Sequence, residues 1–344
     1  MTHKSRVIWL AILLTSPIVV LTQPPEYTLI QLQGAGVGRA FAINERGHIV
    51  GRLGPFPTFA VMWDDDGSII ARDPTPGSDS EARGINNRGQ VVGYQQGLGN
   101  VLWEDGTTIG LDGTDLGDIS PAAINSRGQI AGAIPTPISG ERHAALWENG
   151  TIVDVGVLPG DTSSNAQAIN NRGQIVGWSS SFSGVYRAFI WDNGTMSELP
   201  GLDGQEGQDT YASDINNRGQ VVGSSGSRPV MWENGIPIPL DTFLPSTSGR
   251  AFGINDSGDI VGYLQSPTSS DFLPVLWQNG TPLALPTPPL NPSPGSAAVD
   301  INNRGTIIGY WVHFPGGGET VPLLWVRNAR SEIDPTPRVT RSRP

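Results

Sequence analysis

The sequence predicts an all-β fold: a seven-bladed β-propeller of four-stranded antiparallel blades, closed by its N-terminal strand. Three observations carry that prediction: a repeat with a spacing of 39 to 47 residues, a glycine pattern unbroken through it, and a tight-turn signal late in nearly every copy.

Aligned on an Ile-Asn pair, the chain gives seven copies, at Asn44, Asn86, Asn125, Asn170, Asn216, Asn255 and Asn302. Repeats of this length belong to propellers and solenoids. Three residues after each Asn comes a glycine (Gly47, Gly89, Gly128, Gly173, Gly219, Gly258, Gly305), and four residues further on another (Gly51, Gly93, Gly132, Gly177, Gly223, Gly262, Gly309). The first series reads as a turn: a strand ends in Ile-Asn, two polar residues reverse the chain, and glycine supplies the positive φ before the next strand. An L-residue there would cost about 1–2 kcal/mol. The leading Asn is suited to hydrogen-bonding its own turn backbone.

Further along each copy a short apolar run ends in Trp63, Trp103, Trp147, Trp191, Trp232, Trp277 or Trp325. In the first six copies "DDDG", "EDG", "ENG", "DNG", "ENG" or "QNG" follows. Asn-Gly or Asp-Gly between apolar stretches is the strongest short hairpin signal. Each unit is thus four strands, A to D, and the radial arrangement packs every blade on its neighbours. Small residues suit the crowded inner strand: Ala40, Ala82, Ala166, Ala212, Ala251 and Ala298, with Pro121 in the third copy, expected as the first residue of its strand. Ile43, Ile85, Ile124, Ile169, Ile215, Ile254 and Ile301 are expected in the core between blades, each worth about 1.5–3 kcal/mol if fully buried. The last copy lacks the Asn-Gly reversal, while Tyr27–Leu32 stands alone before the first unit, so that segment is expected to supply the outer strand of the last blade; Ser331–Asp334 is the competing choice.

Composition agrees with a ring of small sheets: Gly 45 and Pro 29 among 344 residues, and apolar runs too short for helices. Lys4 and Arg6, the apolar run Val7–Leu21 and a polar exit predict a signal peptide over residues 1–22, an uncleaved anchor being the alternative. The propeller then spans 23–334, and 335–344 is a basic Pro/Arg tail expected to be disordered. No membrane span is expected after cleavage, and the localisation is secreted or periplasmic. With no cysteine there is no disulfide, thiolate nucleophile or zinc-cysteine site. The net charge of −11 becomes two units more negative once Lys4 and Arg6 are removed, and the mature chain has no lysine. Schiff-base chemistry is excluded, and an acidic surface argues against nucleic acid as partner.

The elements "AQAINNRGQIVG", "RAFIW" and "WDNG" together resemble the bacterial extracellular HAF-repeat family over residues 27–334. The name-giving tripeptide is only approximate, Arg187-Ala188-Phe189 and His143-Ala144-Ala145 coming closest. The resemblance implies an exported repeat protein and brings no catalytic motif or ligand with it.

Strands A and C run the same way, so the A–B and C–D turns share one face and the B–C and D–A connections the other. The first face is nearly verbatim; the second varies from "SSGSR" to "WVHFPGGGET". Binding residues favour variable loops on a rigid scaffold. The candidate ligand-binding residues are therefore Tyr94, Trp178, Tyr186, Tyr263, Tyr310, Trp311 and His313, beside Phe182 and Phe314. Their rings suit stacking on a sugar or gripping a peptide; the competing role is packing between blades. The repeated tryptophans are read as core, and Arg46, Arg88, Arg127, Arg172, Arg218 and Arg304 as covers for neighbouring turns. Calcium is weakly suggested by Asp112, Asp115 and Asp118 and by Asp64, Asp65 and Asp66; solvated acidic turns compete, and no cofactor is expected. No nucleophile elbow, zinc motif or phosphate loop occurs. Asp214 and Asp300 on inner strands are the best catalytic carboxylates, or else partners of buried backbone donors. The sequence favours a monomeric, non-catalytic binding module for a glycan, peptide or surface partner over a polymer hydrolase or lyase or a structural envelope protein.

Overall fold

A computed structural model describes residues 26–328 apart from 35, 73–77, 112–117, 139, 182–183, 204–206, 245–246, 266–270, 289–294 and 314–318. The expected leader, the tail, Ser331–Asp334, Asp112, Asp115, Phe182 and Phe314 lie outside these residues.

Seven four-stranded antiparallel sheets follow one another around a ring, each with strands in the order A-B-C-D. The inner strands A are Gly38–Ile43, Ser80–Ile85, Ser120–Ile124, Ser163–Ile169, Thr210–Ile215, Gly249–Ile254 and Ser296–Ile301. The last blade borrows its outer strand: Tyr27–Gln31 pairs with Glu319–Arg327, from Tyr27 opposite Arg327 to Gln31 opposite Leu323. Tyr27 and Leu32 are buried, and Leu32 packs in a cluster shared by Ala40 and Ile49 of the first blade and Ile308 and Leu324 of the last. The N-terminal strand therefore closes the ring. Pro121 is the second residue of its strand, not the first; strand A is a sheet edge, where proline is tolerated.

The C–D hairpins take the geometry that Asn-Gly and Asp-Gly favour. Asp105, Asn149, Asn193, Asn234 and Asn279 all have φ near +50°, and a positive-φ glycine follows each. The repeated isoleucines and the small strand-A alanines are buried, so the core runs between blades as the apolar pattern requires. The tryptophans divide. Trp63, Trp232, Trp277 and Trp325 are wholly buried, and their Nε1–H groups donate to the D–A connections at Gln33, Pro200, Asp241 and Pro286, at 2.7–2.8 Å. Trp103, Trp147 and Trp191 pack against their blades but stay partly exposed.

The second glycine series is explained by a β-bulge in every A–B pair. In the first blade Ala40 faces Gly51 and Ala42 faces Val50, leaving Phe41 without a partner on strand B. A Cβ on Gly51 would lie 2.0 Å from the Arg39 carbonyl oxygen, and the equivalent glycines meet the equivalent oxygens at 1.8–2.2 Å. Only glycine fits where the bulge drives the strands together.

Candidate functional site

At the A–B turns each repeated Asn ties three things together. Asn170 Oδ1 accepts the backbone N–H groups of Arg172 and Gln174, both at 3.0 Å, which fixes its own turn. Its Nδ2 donates to Gln174 Oε1 and to the backbone carbonyl of Asn216 in the next blade. The inter-blade bond recurs from Asn44 to Asn86, on through Asn125, Asn170, Asn216, Asn255 and Asn302, and back to Asn44, at 2.9–3.2 Å throughout. This closed ring of side chains is invisible in any single repeat. The glutamine then relays outward: Gln90, Gln129, Gln174 and Gln220 donate to Glu104, Glu148, Asp192 and Glu233 at the ends of strands C. The arginines cover the turns, since a Cβ on Gly128 would lie 2.5 Å from Arg88 Nη2, and Gly173, Gly219, Gly258 and Gly47 meet the preceding blade's arginine in the same way.

The bulges determine what faces the axis. The bulged residues are Phe41, Arg83, Ala122, Gln167, Ser213, Phe252 and Val299, and all seven line one cavity of about 240 Å³ in the central channel. Towards the Asn ring the channel continues into a cavity of about 180 Å³. At the opposite mouth it opens into one of about 340 Å³.

Asp214 and Asp300 sit at the waist, where the other blades place Ala or Gly. Each carboxylate bridges two blades. Asp214 accepts from Ile215 N at 2.7 Å and Ile254 N at 2.9 Å; Asp300 accepts from Ile301 N at 2.8 Å and Ile43 N at 2.9 Å. Burial is the main cause that pushes Asp214 up to about 6 and Asp300 up to about 7, the Asp214 charge adding to the rise at Asp300. Both oxygens of each carboxylate are thus committed to backbone donors. Nearer the turns, burial raises Glu45, whereas at Asp256 burial is outweighed by hydrogen bonds from Asn217 and Asn303, which lower it.

The wide mouth carries the aromatic residues, from the fourth blade round to the first. Trp178 meets Tyr186 edge-on at 5.0 Å, Tyr186 stacks on Tyr211 at 5.0 Å, and the Arg250 guanidinium lies 4.6 Å from the Tyr211 ring centre. Arg250 Nε also donates to Ser224 Oγ at 3.2 Å. Tyr263, opposite Arg250 in the strand register, touches Phe252 and Phe272. Arg39 lies 4.5 Å from the Tyr310 ring centre and 5.6 Å from that of Phe41. Burial raises Tyr211, with the Asp209 charge adding and Arg250 opposing; burial raises Tyr263 too, again against Arg250. The second blade differs: Glu81 holds Arg52 and Arg83, both at 2.7 Å.

The sequence-selected residues therefore separate. Trp178, Tyr186, Tyr263 and Tyr310 belong to this belt. Tyr94 stands apart in the second blade, opposite Glu81 and Asn100. Trp311 is corrected to core: it is 7% exposed and packs with Tyr27 of the last blade and Val261 and Leu276 of the sixth, so its ring fills the seam between those blades. His313 ends strand B of the last blade, opposite Glu319. Sequence reasoning missed Arg39, Phe41, Tyr211, Arg250 and Phe252, all on inner strands. Their signal is that they break the repeat at channel-facing positions. At the suggested calcium turn, Asp64 and Asp66 accept the backbone N–H groups of Asp65 and Ser68, and Asp65 lies 3.5 Å from Arg304; among the described residues no three acidic or histidine side chains gather for a metal.

No protein-family model and no curated protein matches the chain. Solved structures similar to it include U3-55K (TM-score 0.55, 12% identity, covering 87% of this chain and 98% of that one). YCF48 bound to D1 peptide is similar as well (TM-score 0.55, 13% identity, 90% and 97% covered). So is the β-propeller domain of the Trilobed protease from Pyrococcus furiosus (TM-score 0.53, 10% identity, 84% and 96% covered). At such identities the likeness is one of fold, and by its own sheets and by these neighbours the chain is a seven-bladed β-propeller.

Proposed function

We propose that the protein is an exported, non-catalytic interaction propeller of the HAF-repeat type, which presents its B–C and D–A face to a peptide, glycan or surface partner. The observation that carries this reading is the belt of Trp178, Tyr186, Tyr211 and Arg250 around an open cavity of about 340 Å³. Rings with a polar edge beside a concavity are what a binding surface uses. The similar YCF48 structure holds a D1 peptide, an example of the same scaffold in a binding role. Export agrees with the leader pattern over residues 1–22 and the absence of cysteine. The polymer-hydrolase alternative is disfavoured because Asp214 and Asp300 spend both oxygens on backbone N–H groups, leaving neither poised towards a substrate proton.

The test is binding of the purified protein to glycan and peptide arrays, repeated with Trp178→Ala/Tyr186→Ala. The wild type should bind a restricted set without turnover, and the double variant should lose about tenfold or more in affinity. Binding that survives the double substitution, or product formation that Asp300→Asn abolishes, would sink the reading.

A further inference from the structure

We infer that the cavity between Arg39 and Arg250 receives the C-terminal carboxylate of a peptide whose last side chain is apolar or aromatic. This rests on the reading of the B–C and D–A face as the binding surface and specifies what that surface recognises.

The charges come first. Arg52, Arg83, Arg187, Arg304 and Arg327 have carboxylate partners; Arg39 and Arg250, like several arginines of the opposite, turn face, have none among the described residues, but these two share one cavity. In a chain of net charge −11, two unneutralised guanidinium groups beside one concavity create a local field that favours an anion.

Geometry then selects the kind of anion. Each guanidinium lies by a tyrosine ring, Arg39 by Tyr310 and Arg250 by Tyr211, at 4.5 and 4.6 Å from the ring centres. A guanidinium held over a ring keeps its edge N–H groups for other partners; Arg250 spends Nε on Ser224, and its Nη pair is left to match a planar carboxylate in bidentate fashion. Arg39 Nε is buried and has no hydrogen-bond partner among the described residues. Nε is therefore closed to a ligand, and the two Nη groups are the donors Arg39 can offer an incoming carboxylate.

The walls select the rest of the ligand. Phe41, Phe252, Val299 and Trp178 give the cavity an apolar wall, and Gln167 and Ser213 are the uncharged polar side chains besides Tyr211. That wall lets an apolar side chain bury its surface beside a carboxylate held by the arginines. A volume of about 340 Å³ is near the low end for ligand sites, which suits one terminal residue better than a length of polymer.

The experiment compares hexapeptides ending in Phe as free acids and as C-terminal amides, by fluorescence anisotropy with the intact protein. The acid should bind about tenfold or more tightly than the amide. Arg39→Gln and Arg250→Gln should each weaken acid binding and erase the difference, with the melting curve retained; Arg250→Lys, which keeps charge but not the fork, should fall between. Acid and amide binding alike, with both lost in Trp178→Ala, would overturn the carboxylate inference while leaving the binding face intact. Binding of an oligouronate in place of any peptide would overturn the peptide assignment. Failure of every probe to bind at this face would overturn the inference together with the reading beneath it.

Discussion

The two mouths of the channel are made from the same strands, yet one is nearly invariant around the ring and the other differs in every blade. At the turn mouth each side chain completes the backbone of the next blade: Asn170 reaches the Asn216 carbonyl, and Arg172 lies against Gly219. A substitution there leaves a neighbour's buried group unmatched, so every copy must carry the same letters. Beyond the turns the bulge aims one side chain per blade at open channel, and that side chain differs from blade to blade: Phe41, Arg83 and Ala122 occupy equivalent places. Repetition marks what holds the ring together, and departure from repetition marks what the ring is free to use.

Breaking the turn mouth should give the largest effect. Asn170→Ala strips partners from two part-buried backbone donors and removes the buried link to the next blade, so a loss of about 2–4 kcal/mol is expected in urea unfolding. Asn170→Asp tests the same point more finely, because it keeps the acceptor for Arg172 and Gln174 but sets an oxygen against the Asn216 carbonyl. A loss under about 1 kcal/mol for both would mean that the ring of bonds is incidental.

The waist lies between the extremes, and its contribution depends on pH. Asp214 and Asp300 bridge blades as the asparagines do, but with an ionisable group whose burial raises it to about 6 and about 7. A raised carboxyl binds its proton more tightly in the folded state, so the stability it adds is full below the unfolded value near 4 and is lost as pH rises through 6 to 7. The groups facing this pair are Glu45 and Asp256, both acidic, which reinforces the effect. Wild-type melting temperature should therefore decline between pH 4.5 and 8 relative to Asp300→Asn, by several degrees if the difference is about 2 kcal/mol. The variant itself should be less stable at low pH, since its amide turns one donor towards a backbone N–H. Parallel pH profiles would remove Asp300 from the account.

The same division explains how much could be read before any coordinates. Blade number, strand order, both turn types and the closing strand were legible, because each rests on local chemistry repeated around the ring: Ile-Asn before a positive-φ glycine, Asn-Gly in the C–D hairpin, an orphan strand at Tyr27–Leu32. The Asn-to-Asn ring was not, because its partners are 39 to 47 residues apart, and 258 at the closing bond, while a single copy shows only the turn. The site was half legible. Aromatics following the glycine of "VG" or "IG" pointed to Trp178, Tyr263 and Tyr310, and loop proximity to Tyr186, but the first rule also selected Tyr94, outside the belt, and the second the buried Trp311. Phe41 and Phe252 escaped because nothing in the repeat says that a bulge turns strand A towards the channel, and Arg39, Tyr211 and Arg250 because they precede it by two residues at a position the repeat leaves unmarked.

The smallest stability effect is expected at Trp178, and it sharpens the contrast because the same residue type occurs in both settings. Trp232 is wholly buried and donates its indole N–H to Pro200, so Trp232→Ala leaves a closed void and an unmet carbonyl, costing about 3–5 kcal/mol. Trp178 borders the open cavity, where water can fill the space left by the ring, and its backbone pairing with Asn165 and Ala188 is independent of the side chain. What Trp178→Ala forfeits is chiefly the edge contact with Tyr186, about 0.5–1.5 kcal/mol. Urea unfolding of the two variants side by side measures the difference. Equal losses would mean that Trp178 is part of the frame, and the division between a mouth that supports and a mouth that binds would no longer hold.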